Sequence, residues 1–198
     1  MQVTAAQLKA IASVSDKQIG IFLPYINKYA AAYQVTTVKR MAMFLAQVLH
    51  ESGCLKYTRE MWGPTETQKT YERDMSAKWG EGLKSTDRNR KAYMLGNVNP
   101  GDGKAFAGHG LIQVTGRTNH FKCSYDLFKD DRLIKTPELL TTPEFAVLSA
   151  YWFWGRNNLN TLADGADPLL ACTKRINGGT NGIAERKKYY EAGLKALA

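Results

Sequence analysis

The sequence predicts a mainly helical α+β fold, and three features carry that prediction. Both ends of the chain hold capped segments whose apolar residues recur at helical spacing. The centre, from Trp62 to Gly110, is instead crowded with Gly, Pro, Asn and Asp. It leads into a short strand-like run, Leu111–Thr115. At 198 residues, 44% of them hydrophobic, the chain can bury a core without metal or disulfide staples. No linker interrupts it, so residues 1–198 read as one domain, in two lobes around a cleft.

The elements follow in order. Thr4 with Gln7 forms a capping box, and Leu8, Ile11 and Ala12 supply the stripe behind it. A second helix runs from near Asp16 towards Tyr33, kinked or restarted at Pro24. A third starts near Thr37, carries Met41, Phe44, Leu45, Val48 and Leu49 on one face, and ends around Ser52-Gly53. The irregular middle is long enough to expect function there. Thr142-Pro143-Glu144 then gives a cap, a first-turn proline and a first-turn acid to Phe145–Trp154, whose continuous hydrophobicity marks the central buried helix. Pro168–Ile176 and Ala184–Leu197 complete the helices on either side of a glycine-rich loop, Asn177–Gly182.

A formal charge of +9 attracts anionic partners, and nucleic acid, anionic lipid and acidic cell-wall polymer all qualify. No dense basic tract accompanies it; Lys187-Lys188 and Arg88/Arg90/Lys91 are short clusters, so nucleic acid is not the expected partner. Three widely spaced cysteines, with no CxxC pair, fit a reducing compartment. The start, Met1–Thr4, lacks the features of a signal peptide. The run Ile19–Ile26 is too short to cross a bilayer.

Glu51 is the most informative acid in the chain. In an ideal helix it points roughly 20° from Phe44 and about 60° from Val48 when measured across the same face. Burial and the negative helix end would both favour its protonated form, the form a general acid needs. Glu60, beyond Ser52-Gly53, can be carried across a cleft by a loop, as a paired acid–base site requires. Glu66, Glu72 and Asp74 are rival acids on spacing alone. His50-Glu51 does not continue into HExxH, and His50, His109, His120 and the cysteines show no zinc spacing. Neither a G-x-S-x-G elbow nor a phosphate loop appears, so no metal and no cofactor are expected.

Three segments add to this reading. Phe44-Leu-Ala-Gln-Val-Leu-His-Glu-Ser-Gly53 resembles the end of the catalytic helix in family 19 chitinases and their phage endolysin relatives. Phe106-Ala-Gly-His-Gly-Leu-Ile-Gln-Val-Thr-Gly-Arg-Thr-Asn119 resembles that family's aromatic-x-G-R-G-x-I-Q-L-[ST] motif, and Ile176-Asn-Gly-Gly179 its late loop. The resemblance implies a lysozyme-like fold with a small antiparallel, three-stranded sheet beside the active-site cleft. It implies Glu51 as general acid, Glu60 as general base and Thr115 as holder of the attacking water. Gln113, Asn119 and Asn177 would line the sugar cleft, their amides able to donate and accept at once, with His50 and His109 also counted among the substrate-binding positions. Two positions depart from the family pattern: His109 stands where Arg is usual between two glycines, and His120 where Tyr is common.

The family's substrates are chitin and bacterial peptidoglycan, both β-1,4-linked polymers of N-acetylated sugars; the non-enzyme alternative, an inactive wall-polysaccharide-binding protein of the same fold, is opposed by the Glu51/Glu60 pair. The charge, the unpaired cysteine count and the lack of a leader or a separate wall-binding domain suit a phage lysin. Such an enzyme is expected to act as a monomer on peptidoglycan, waiting in the host cytoplasm until a phage holin opens the membrane.

Overall fold

In the computed structural model, which describes residues 1–198, the capped stripes fold as helices. The Thr4–Gln7 box closes around the first turn of α1 (Ala5–Ile11). α2 (Asp16–Ala30) starts from a Ser15 cap and runs unbroken through Pro24. The restart read as one outcome of that proline does not occur. Ile19, Phe22, Ile26 and Ala30 are buried on both sides of it, and that packing outweighs one missing backbone donor.

α3 (Val38–Glu51) leaves the Thr37 cap and buries nine successive residues, Met41–Leu49. A helix buried all round is the axis of a bundle. The irregular middle holds only three short helices, α4 (Glu66–Lys69), α5 (Arg90–Leu95) and α6 (Asp102–Ala105). Then come α7 (Arg117–Phe128), α8 (Arg132–Lys135), a 3-10 turn at Pro137–Thr141 and α9 (Pro143–Arg156). The chain closes with α10 (Leu159–Asp164), α11 (Pro168–Asn177) and α12 (Ile183–Leu197).

α9 is deeply buried, but α3 takes the central place read for it. The two helices meet through aromatic rings: Phe44 stacks on Tyr151 at 4.2 Å between centroids and meets Trp154 edge-on at 5.4 Å. Tyr151 also donates to the Ile26 carbonyl at 2.8 Å, which fastens α2 to the same block. On its other side α3 is covered by α12, whose buried residues are Arg186, Tyr189, Gly193 and Leu197.

The expected small sheet is absent as a sheet. Only two isolated antiparallel bridges form, Arg59 with His109 and His109 with Val114. The run Leu111–Thr115 has a strand's composition but makes a turn. Gly110 and Gln113 take left-handed dihedrals, φ +81 and +56, so the chain folds back and His109 pairs with Val114 in both directions. Leu111 and Ile112 are buried in that turn, and the Leu111 amide donates to the Ala146 carbonyl of α9. Burial against α9 has been met by a turn where alternation alone suggested a strand.

Candidate active site

One wall of the site is helical. Glu51 is the last residue of α3, and the chain leaves it through a tight exit. Ser52 Oγ donates to the Val48 carbonyl and accepts from the Leu55 amide, at 2.7 and 2.9 Å. Gly53, Cys54 and Leu55 then follow in succession with φ of 56, 60 and 65. Two adjacent non-glycine residues in the left-handed region are uncommon, and they turn the backbone sharply away below Glu51.

Glu51 Oε1 accepts from Arg186 Nη2 at 2.5 Å. The Arg186 side chain is 1% exposed and Glu51's is 20% exposed. Arg186 also donates to Gln47 Oε1 at 2.5 Å and to the Asn181 carbonyl at 3.3 Å, so each of its three side-chain nitrogens has an acceptor. Gln47 in turn donates to Thr173 Oγ1 at 3.3 Å, tying α3, α11 and α12 together. The sequence reading set Glu51 against an apolar face and a helix end; the guanidinium is the partner it lacked.

His50 and Asn177 stand on this wall. His50 Nδ1 lies 2.5 Å from Glu185 Oε2. That bond, foremost among several causes, holds the Glu185 carboxyl below the usual carboxylate range. The imidazole is pressed against Gly182, where φ is +69 and any Cβ would collide with the ring, so only glycine fits. Asn177 uses both ends of its amide on its own loop, accepting from the Gly179 amide at 2.8 Å and donating to the Asn181 carbonyl at 2.9 Å.

The other wall is a loop. Glu60 and Gly108 exchange two bonds: the Glu60 amide donates to the Gly108 carbonyl at 2.7 Å, and the Gly108 amide donates to Glu60 Oε2 at 2.9 Å. Gln68 Nε2 donates to Glu60 Oε1 at 2.9 Å. Beside them, the Tyr71 phenol is pushed up by burial first and by the Glu60 charge second. Gly108 also touches the Gln113 side chain so closely that a Cβ would not fit between them. Gln113 Nε2 donates to the Gly110 carbonyl, Thr115 Oγ1 to the Gln113 carbonyl and Asn119 Nδ2 to the Thr115 carbonyl, at 2.9, 3.0 and 2.8 Å. Glu60, Gln113, Thr115 and Asn119 therefore form one connected group. A hollow of ≈ 330 Å³ beside this group is lined by Gln113, Thr115, Asn119, Trp152, Arg156 and Ile176.

The rival acids serve structure. Glu66 pairs with Lys69 at the surface, Glu72 accepts from the Gly101 and Lys104 amides, and Asp74 is held at about 2 chiefly by Ser76. No three His, Cys, Asp or Glu side chains meet in a cluster that could hold a metal ion.

His109 lies under the site and not on its surface. Its side chain is buried, so it does not line the sugar cleft as read from the sequence. Nδ1 is 3.1 Å from His120 Nε2, and His120 Nδ1 is 2.9 Å from the Gly116 carbonyl. That carbonyl requires a proton on His120 Nδ1, which leaves Nε2 to accept from His109 Nδ1–H in a neutral pair. His109 Nε2 is left buried without a partner. Burial pushes both imidazoles down to about 4, with Arg59 adding to the effect on His109. The two departures from the family pattern are thus one contact.

Sequence reasoning missed Arg186, Gln47, Gln68, Trp152 and Arg156. For Arg186 a signal existed: it occupies the stripe of Tyr189, Gly193 and Leu197 at helical spacing, a cation on a buried face.

A carboxyl at a helix end, a second on a loop, and amides and hydroxyls nearby are the kinds of side chain that glycoside hydrolases employ. No protein-family profile matches the chain. Over 162 residues it is 36% identical to a glycosyl hydrolase family 19 domain-containing protein of Haemophilus influenzae, covering 77% of this chain and 78% of that one. The chain belongs to glycoside hydrolase family 19 and is chitinase-like. It is 25% identical to an endochitinase of Arabidopsis thaliana over 175 residues, spanning 56% of that protein's length. The fold matches the crystal structure of a bacterial family 19 chitinase with a TM-score of 0.67, at 19% identity, over 99% of this chain and 95% of that one.

Proposed function

We propose that this hydrolase cleaves β-1,4 glycosidic bonds of bacterial peptidoglycan by single displacement with inversion. Glu51, whose Oε1 accepts from Arg186, gives the proton carried on Oε2 to the departing sugar oxygen. Glu60 takes a proton from the attacking water, and the lone pairs of Thr115 Oγ1, whose proton goes to the Gln113 carbonyl, hold that water. The observation that carries the choice of polymer is the net charge of +9, which draws the enzyme to an anionic wall. The reading includes a monomeric phage lysin that stays in the host cytoplasm until a holin opens the membrane. No helix is long and apolar enough to cross a membrane.

A second reading, hydrolysis of chitin, is favoured by a different observation: the plant relative is named an endochitinase and the structural neighbour a chitinase. One experiment separates them. Turbidity of permeabilised bacterial cells and release of soluble sugar from chitin are followed side by side, with Glu51→Gln as control. Wall clearing that weakens with added salt, with β-1,4-cleaved fragments by mass analysis, supports the first reading. Sugar released from chitin with no wall clearing replaces it with the second. Rapid NMR on the first product distinguishes the mechanism: an initial α-anomer supports inversion, and an initial β-anomer excludes it. For the lysin role, expression alone should leave cells intact; lysis without membrane permeabilisation would overturn it.

A further inference from the structure

Glu60 has no helix to hold it, yet both its carboxylate oxygens are held. The Gly108 amide serves Oε2 and Gln68 Nε2 serves Oε1, each at 2.9 Å. Gln68 is the third residue of α4, follows the Thr65 cap and is only 3% exposed. Its amide is saturated. Oε1 accepts from the Gly63 and Thr65 amides at 3.1 and 2.9 Å, and Nε2 donates to Glu60 Oε1 and the Met61 carbonyl at 2.9 Å each. An amide offers two donors and two acceptor sites, and here all four are used. The two backbone N–H groups on one side fix which end is oxygen, so the NH2 end has to face Glu60.

We propose that Gln68 is the positioning residue of the catalytic base: it spans the Glu60–Thr65 loop and sets the orientation in which Glu60 meets the water. This rests on the reading of Glu60 as base. No residue of another type makes the same four bonds. Asn is shorter, Glu keeps the two acceptor bonds but loses both donors, and Met or Leu loses all four. A capping box needs only the Gln68 backbone amide and the Oε1 bond to Thr65. The Nε2 pair of bonds goes beyond capping, and one of them ends on the carboxylate itself.

The informative variant is Gln68→Glu. It retains the acceptors for Gly63 and Thr65 and therefore the loop, but sets a second carboxyl against Glu60 Oε1. The pair would share one proton, as facing carboxylates do. The measurement is kcat, KM and their pH dependence on solubilised, uncrosslinked peptidoglycan, with a soluble chitin oligosaccharide in parallel, for wild type, Glu60→Gln and Gln68→Glu. The expected result is kcat lower by about 100-fold above neutral pH, the scale of a misplaced catalytic group. KM should stay near wild type, and part of the activity should return as pH falls and the shared proton restores a donor to Glu60.

A purely structural glutamine would show no such pH-dependent recovery. A folded Gln68→Glu enzyme with wild-type kcat and pH profile, beside an inactive Glu60→Gln, overturns the role of Gln68 alone. An active Glu60→Gln overturns the base reading and this inference with it. Should Gln68→Glu fail to fold, wild type still decides the matter. The side-chain amide protons of Gln68 should shift in NMR as Glu60 titrates and stay still in Glu60→Gln; amide signals indifferent to pH in wild type would refute the contact.

Discussion

The two walls of the site hold their carboxylates by opposite means. Glu51 ends the most buried helix of the molecule and faces a guanidinium that is 1% exposed. Glu60 lies in a loop and is held by one backbone amide and one side-chain amide. The first arrangement draws on the core, since Arg186 also binds Gln47 and through it α11. The second is local, made within the segment 60–68 and one bridge to Gly108. Damage to the helical wall at Glu51 or Arg186 should therefore appear as lost stability as well as lost rate. Damage to the loop wall should appear mainly as lost rate.

The largest effects expected fall on the carboxylates themselves. Glu51→Gln and Glu60→Gln should each lower kcat at least about 100-fold, the low end for general acid–base groups. Thermal unfolding of Glu60→Gln should stay close to wild type, whereas Glu51→Gln, which leaves the buried Arg186 without its counter-charge, should keep the fold at a lower Tm. Residual activity near wild type in either folded variant would remove that residue from its role. Next comes Arg186→Met, which leaves Glu51 and Gln47 without their buried cation. Breaking such a pair typically costs about 3–5 kcal/mol. For a chain of this size that is roughly a 10 °C fall in Tm, with activity lost in parallel. A Tm within a degree or two of wild type would show that the helical wall does not depend on the core in the way described.

The third test is pH. His109 and His120 are held at about 4 in the fold by burial, against 6.5 for a free imidazole. Below pH 6.5 the unfolded chain takes up protons that the folded pair refuses. Their contribution is thus constant above about pH 6.5 and is lost as pH falls from there towards 4. The upper bound is about 3 kcal/mol per imidazole, from the size of the shift. Calorimetry across that range should show Tm falling, and His120→Phe should flatten the slope. The smallest effects belong to the caps. Thr37→Ala and Thr65→Ala each remove one cap and should cost about 1 kcal/mol. Loss of the Thr37 cap should leave kcat unchanged, whereas loss of the Thr65 cap should lower it by loosening the Gln68 loop.

The same contrast explains what could be read from the sequence. α3 and its terminal Glu51 were legible because a buried helix writes its face into the spacing of Met41, Phe44, Leu45 and Val48. Glu60 was legible as a loop acid, but its partner Gln68 was not, since a glutamine after Thr65 reads as a cap alone. The pairing of His109 with His120 joins residues eleven apart across a turn that the composition of Leu111–Thr115 disguised as a strand. Arg186 is 135 positions from Glu51, and no local pattern links two residues so separated.

The exit from α3 bears on heat tolerance. Cys54 and Leu55 adopt a backbone handedness that costs an L-residue about 1–2 kcal/mol at each position. Leu55 cannot be relieved, because its side chain is 1% exposed and belongs to the core. Cys54 is different: it is only half-buried, packing at the edge of the core and making a 3.4 Å thiol contact to the Tyr189 hydroxyl. Glycine there would remove the steric penalty, offset in part by the greater freedom of its unfolded chain. The turn that carries the chain away from Glu51 thus also marks where a single exchange would relieve backbone strain.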